Sequence, residues 1–164
     1  MPSDADATKE TINLYRNLKA SAQKGFLFGH QDDLAYGVHW KYQKDSSDVK
    51  SLTGDYPALY GWDLGGTETG SDKELDGVPF KMEREFIKEA YERGGVITLS
   101  WHFNNPLTGG NAWDTTHGTV ASVLPGGVNN ELFKGWLDNA AKYLLSLKGK
   151  NGELIPVLFR PLIH

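Results

Sequence analysis

The chain has 164 residues, 39% hydrophobic and 23% charged, with 17 Lys and Arg against 21 Asp and Glu for a net charge of −4. That balance describes an ordinary folded domain, long enough for one core and short for two, and it excludes a disordered tail. It also argues against a nucleic-acid partner, which needs a basic face to displace counterions. With no cysteine, disulfides, thiolate metal sites and a cysteine nucleophile are all excluded.

No apolar run approaches the roughly 18–20 residues that a membrane span needs. The polar, acidic start from Met1 to Asp6 does not read as a signal peptide. Aromatic residues make up 12% of the chain, and several of the five tryptophans stand beside Gly, Asn, Asp and His in loop-like stretches.

A first helix is expected from Thr8 to Lys24, with Ile12, Tyr15, Leu18 and Ala22 at helical spacing and Gly25 as its stop. Phe26-Leu27-Phe28 reads as a short buried strand ended by Gly29. After a polar loop, a short helix from Ser46 to Leu52 ends at Gly54. Residues 57–63 read as the second strand and lead into a Gly-rich loop. Phe80 to Glu92 reads as a helix with Met82, Phe86, Ala90 and Tyr91 on one side. Gly94-Gly95 closes it, and Val96 to Trp101 is the clearest strand of the chain. A long loop runs from His102 to Val128. The last helix spans Asn130 to Leu147, capped by Asn129 or Asn130 and ended by Gly149. Leu154 to Arg160 is a fourth strand.

Strand and helix thus alternate four times without a repeat or a low-complexity linker, which implies parallel strands with crossover helices. The strands are continuous apolar runs, as when both faces are covered. A doubly wound open sheet fits the length. A (β/α)8 barrel, of about 250 residues, would be represented here by four of its eight units. The placement of unusual residues favours the barrel. Each strand is followed by a polar and aromatic cluster: His30-Gln31-Asp32-Asp33 with Tyr36, His39 and Trp40; Trp62-Asp63 running into Gly65–Gly70; Trp101 to Pro106 with Trp113-Asp114; and Arg160 to His164. Barrel enzymes build their sites at these carboxyl ends.

A sugar site needs flat aromatic faces, side chains that bond hydroxyls, and two carboxylates astride the glycosidic bond. The loops supply the first two. Among the carboxylates Asp32, Asp33, Asp63, Glu68 and Asp114, none is marked as the proton donor. Each feature also has a structural alternative: His102 as a strand-end histidine bonded to backbone, Trp101 as core, Asp63 as a loop brace, Asp32-Asp33 as a solvated loop. Trp113, amid Gly, Asn and Asp, reads as exposed and functional, and Arg160 as a brace for neighbouring carboxylates. The five histidines are scattered without a His-Glu-x-x-His, so no metal site is expected. The Gly65–Ser71 run lacks the lysine of a phosphate loop, and Glu68 would repel phosphate. No Gly-x-Ser-x-Gly elbow supports esterase chemistry.

In four ordered pieces the chain resembles the β-mannanases of glycoside hydrolase family 26. They are Phe28-Gly29-His30-Gln31; Pro57 through Trp62-Asp63; Ser100-Trp101-His102-Phe103-Asn104-Asn105-Pro106 with Trp113; and Pro156 to Leu162. The resemblance implies the first four βα units of a (β/α)8 TIM barrel, residues 1–164 forming a single truncated catalytic domain. It implies retaining, internal cleavage of β-1,4-mannan, galactomannan or glucomannan, without a cofactor. Carried over, His102 and Trp113 line the subsites around the cleavage point, with Trp101, Asn105 and His164 in the substrate-binding set. Arg160, Asp63 and His30 support the site. The family's fourth strand ends Arg-Pro-x-His-Glu, and its nucleophile is a glutamate on the seventh strand. Here Leu162-Ile163-His164 is one residue longer and no glutamate follows, so this chain is expected to be inactive alone. Two alternatives stand beside that reading: a non-catalytic carbohydrate-binding remnant, or another β-glycanase specificity, such as a mixed-linkage glucanase or xylanase. The partner is a β-mannan-type polysaccharide, with self-association through exposed barrel edges. Because mannan is an external polymer, a secreted, periplasmic or cell-surface origin is expected.

Overall fold

A computed structural model describes residues 2–161. In chain order the elements are α1 (Lys9–Ser21), β1 (Gly29–Gln31), β2 (Tyr36–Gly37), β3 (Trp40–Lys41), α2 (Asp48–Thr53), β4 (Leu59–Asp63), a 3-10 turn (Thr67–Thr69), α3 (Phe80–Glu92), β5 (Val96–Trp101), α4 (Thr119–Val123), α5 (Asn130–Ser146) and β6 (Val157–Pro161). The main sheet has the order β1-β4-β5-β6. β1 pairs parallel with β4, His30 lying opposite Tyr60. Among the described residues the sheet does not close, and β1 and β6 form its edges. No helix among these residues is long and apolar enough to cross a membrane.

The described chain divides into two compact units. The first holds residues 2–62, 82–99 and 147–159. Its core is built on the strands: Tyr60 and Trp62 stack at 5.9 Å, and Ile97 and Leu99 are buried with them. α3 turns Glu83, Ile87 and Ala90 inward, at the four- and three-residue steps of one helix face. α2 starts on Ser47, whose side chain accepts from the Lys50 N–H at 3.0 Å, and stops at Gly54, whose φ of 85° is the left-handed turn glycine adopts readily. The second unit holds residues 63–81, 100–146 and 160–161. Here Trp101, Phe103, Phe133 and Trp136 form one aromatic cluster with centroid separations of 4.8–6.5 Å. α5 packs on the 3-10 turn.

Several expectations are corrected. Phe26 and Phe28 are 90% and 58% exposed; the Phe28 carbonyl accepts from the Leu59 N–H at 3.2 Å, and the paired register starts at Gly29. The first strand is therefore not the apolar run but the segment after it, where a glycine lets the backbone close on Leu59; a Cβ on Gly29 would stand 2.6 Å from Leu59 Cδ2. β6 is half-buried to exposed rather than covered on both faces, as an edge strand is. α1 buries none of its residues, so its apolar stripe lacks the cover its spacing suggests. The β2–β3 hairpin and α4 arise in stretches read as loops.

Candidate active-site face

β4 and β5 deliver the centre of the site at their carboxyl ends. Asp63, the last residue of β4, is 2% exposed. Its Oδ1 accepts from the Gly65 N–H at 2.6 Å and the His102 N–H at 3.3 Å. Its Oδ2 accepts from Ser100 Oγ at 2.5 Å and from His102 Nδ1 at 2.5 Å. Gly65 is required for this approach, because a Cβ there would lie 2.7 Å from the His102 carbonyl and 2.8 Å from Asp63 Oδ1.

A carboxylate can only accept, so the geometry assigns a proton to His102 Nδ1, and Nε2 is the ring nitrogen turned away from Asp63. The opposite side of that orientation is set by Trp113. The two rings are stacked, 5.8 Å apart and within 5° of parallel. Trp113 is 63% exposed, a flat apolar face open to solvent.

Trp113 sits on a loop held by small polar bonds. Asn105, buried, donates from Nδ2 to the Asp114 carbonyl at 3.1 Å and to Thr119 Oγ1 at 2.9 Å, and its Oδ1 accepts from the Leu107 N–H at 2.9 Å. The Asp114 carboxylate accepts from the Thr108 hydroxyl and from the Thr116 N–H and hydroxyl. The Thr108 bond, followed by those of Thr116, holds the Asp114 carboxyl below the ordinary aspartate value. An apolar cavity of about 320 Å³ opens beside the loop, lined by Trp101, Phe103, Val123, Leu124 and Phe133 together with His102.

Five of the sequence candidates thus share the second unit's site region: Asp63, Trp101, His102, Asn105 and Trp113. Trp101 is 1% exposed and points its indole N–H at Glu68 Oε2 (3.4 Å), so it offers no open stacking face. Arg160 lies at the exposed end of β6. His30 belongs to the first unit, its Nδ1 2.8 Å from the Gln31 carbonyl and 3.6 Å from Asp33 Oδ1. His164 lies outside the described residues. Asp32 and Asp33 are not solvated: they are 0% and 1% exposed, and burial raises the Asp33 pKa. Ser100 has no role assigned from the sequence, where a serine inside the apolar run of β5 was the available signal. Glu68, one of five carboxylates named there without a role, joins the site through its bonds to the Asn104 N–H and the Trp101 indole.

An open set of parallel strands with a His–Asp pair and an exposed tryptophan at their carboxyl ends is the arrangement of half a (β/α)8 barrel. Residues 3–164 match the profile of glycosyl hydrolase family 26, and the chain belongs to that family. Mannan endo-1,4-beta-mannosidase of Bifidobacterium adolescentis is 37% identical over 164 residues, covering 98% of this chain and 16% of that protein. The solved GH26 beta-mannanase of Bacteroides ovatus superposes with a TM-score of 0.91 at 52% identity, over 94% of this chain and 45% of the other. An endo-beta-1,4-mannanase of Cellulomonas fimi follows at 0.84 and 37%, over 96% and 36%. The chain spans less than half the length of these relatives. Its fold is that of the first four βα units of a (β/α)8 barrel, and its family is one of glycoside hydrolases of mannanase type.

Proposed function

We propose that these residues form one half of the substrate-binding face of a retaining endo-β-1,4-mannanase, acting on mannan, galactomannan or glucomannan. The observation that carries this reading is the His102 ring, fixed by Asp63 on one side and stacked on Trp113 on the other. A pyranose at the exposed edge of the His102–Trp113 stack would meet an imidazole whose Nδ1 proton is engaged by Asp63, leaving Nε2 to accept a hydroxyl proton.

The same geometry separates binding from cleavage. Double displacement needs one carboxyl to protonate the leaving oxygen and another to attack the sugar, about 5–5.5 Å apart. Asp63 has both oxygens engaged by four donors, and Glu68 is buried among backbone N–H groups. Both carboxylates act as braces. A general acid alone is worth about 10²–10⁴ in rate, so the polypeptide of these 164 residues binds mannan and does not turn it over. Mannan is a polymer met outside the cell, which suits a secreted, periplasmic or cell-surface protein.

The test is twofold: reducing-end release from mannan by sequence-verified 164-residue polypeptide, and its retention on immobilised mannan. No release with clear retention is expected. Release at rates typical of whole enzymes contradicts the division of labour, and absence of retention contradicts the binding reading. Parallel columns of xylan and mixed-linkage glucan distinguish another β-glycanase specificity.

A further inference from the structure

From the bonds that surround His102, we infer that Glu68 is a positioning residue for sugar binding, acting through His102 without touching the ligand. This rests on the reading of His102 as a substrate contact.

Glu68 lies in the 3-10 turn Thr67–Thr69 and is 5% exposed. Its Oε1 accepts from the Asn104 N–H at 3.1 Å, and its Oε2 from the Gly66 N–H at 2.9 Å and Trp101 Nε1 at 3.4 Å. Trp101 and Asn104 bracket His102 in sequence, one residue before it and two after. One buried carboxylate therefore pins the backbone on the far side of His102 and the side chain on its near side. Asp63 fixes the imidazole itself; Glu68 fixes the chain from which the imidazole springs. The turn that carries Glu68 is anchored in turn by α5, where Asn139 Nδ2 donates to the Glu68 carbonyl at 3.5 Å. A buried carboxylate whose acceptor oxygens face only donors is a demanding arrangement, because an apolar replacement leaves those donors unpaired and the isosteric amide sets a donor against a donor.

Glu68→Gln supplies that test at constant shape. Whichever way the amide turns, its NH2 faces either the Asn104 N–H or the pair from Gly66 and Trp101. Binding of mannohexaose, measured by calorimetry on the 164-residue polypeptide, is expected to weaken about tenfold, the typical worth of one such bond. In a His102→Ala background the same substitution is expected to change binding less than twofold, because the residue through which Glu68 acts is gone. An equal loss in both backgrounds, or none in the first, overturns the inference.

Two readouts do not depend on sugar. The 15N ring resonances of His102 are expected to move in Glu68→Gln, and unmoved resonances overturn the positioning role. In the unsubstituted protein the Asn104 amide is expected to exchange slowly with solvent; exchange at the rate of an open loop overturns it as well. If wild-type polypeptide binds no mannohexaose, the proposed function fails, and the ring resonances still decide the role of Glu68.

Discussion

Replacing Asp63 by Asn tests the centre of the site at almost unchanged volume. Its Oδ1 bonds to the Gly65 and His102 N–H groups survive if the amide oxygen takes that side. The NH2 then faces Ser100 Oγ and His102 Nδ1, both at 2.5 Å from the present Oδ2. Ser100 can turn its hydroxyl to accept. His102 can accept at Nδ1 only by moving its proton to Nε2, which reverses what it offers to a sugar. Bonds to a charged group are worth about 1.5–3 kcal/mol and neutral ones about 1, so two such replacements cost about 2–3 kcal/mol. For a chain of this length that lowers the thermal midpoint by roughly 4–12 °C. The assay pairs thermal denaturation at neutral pH with long-range 15N–1H correlation of the histidine rings. An unchanged midpoint with Nδ1 still protonated would refute the reasoning.

Leu99→Ala removes a side chain that is 0% exposed in β5 and is expected to cost about 3 kcal/mol, read as a lowered urea midpoint at constant slope; a loss under 1 kcal/mol contradicts the packing described. The Trp40 indole N–H and the Val38 N–H hold the Asp48 carboxyl below its ordinary value of 3.8. The folded state thus takes up this proton at lower pH than the unfolded chain. Its stabilisation is complete above that ordinary value and is lost as pH falls below it. Asp48→Asn is accordingly expected to flatten the acid limb of the melting-temperature profile, and an unaltered limb contradicts the assignment. With β1 and β6 as open edges and Phe26, Phe28 and Val128 on view, sedimentation velocity is expected to show concentration-dependent self-association; a monodisperse monomer at high concentration counts against it.

Legibility from sequence followed the strength of local signals. β5 begins at Val96 and ends at Trp101, and α3 spans Phe80 to Glu92, as read, because Gly94-Gly95 punctuates between a helical and a strand period. Phe26-Leu27-Phe28 misled because apolarity marks a wish for burial, whereas a strand needs a neighbour: only the Phe28 carbonyl reaches β4, accepting from the Leu59 N–H, and the paired register runs from Gly29 to Gln31. The β2–β3 hairpin was invisible since the left-handed φ of 67° falls on His39, where no Gly or Asn announces it. α4 has no side-chain N-cap to mark its start. Asp32 and Asp33 looked solvated because two adjacent charges usually are; the Asp32 N–H bonds the Gly61 carbonyl, and the Tyr36 hydroxyl meets its carboxylate.

For the site, position at strand ends and composition marked Trp113 as functional and left His102 and Asp63 with structural alternatives; the family resemblance placed them in the site. That Asp63 should grip His102 across 39 residues, and that Glu68 should reach Asn104 across 36, are facts of the fold. No spacing in the chain encodes them.

The most direct test of the account is calorimetric titration of mannohexaose into the 164-residue polypeptide and its Trp113→Ala variant. Because Trp113 is largely exposed, the substitution should leave the thermal midpoint nearly unchanged, within about 0.5 kcal/mol of stability. The account requires that the unsubstituted polypeptide bind and that the variant bind at least tenfold more weakly. Equal binding by the two, or none by either, would contradict a mannan-binding face built on His102 and Trp113.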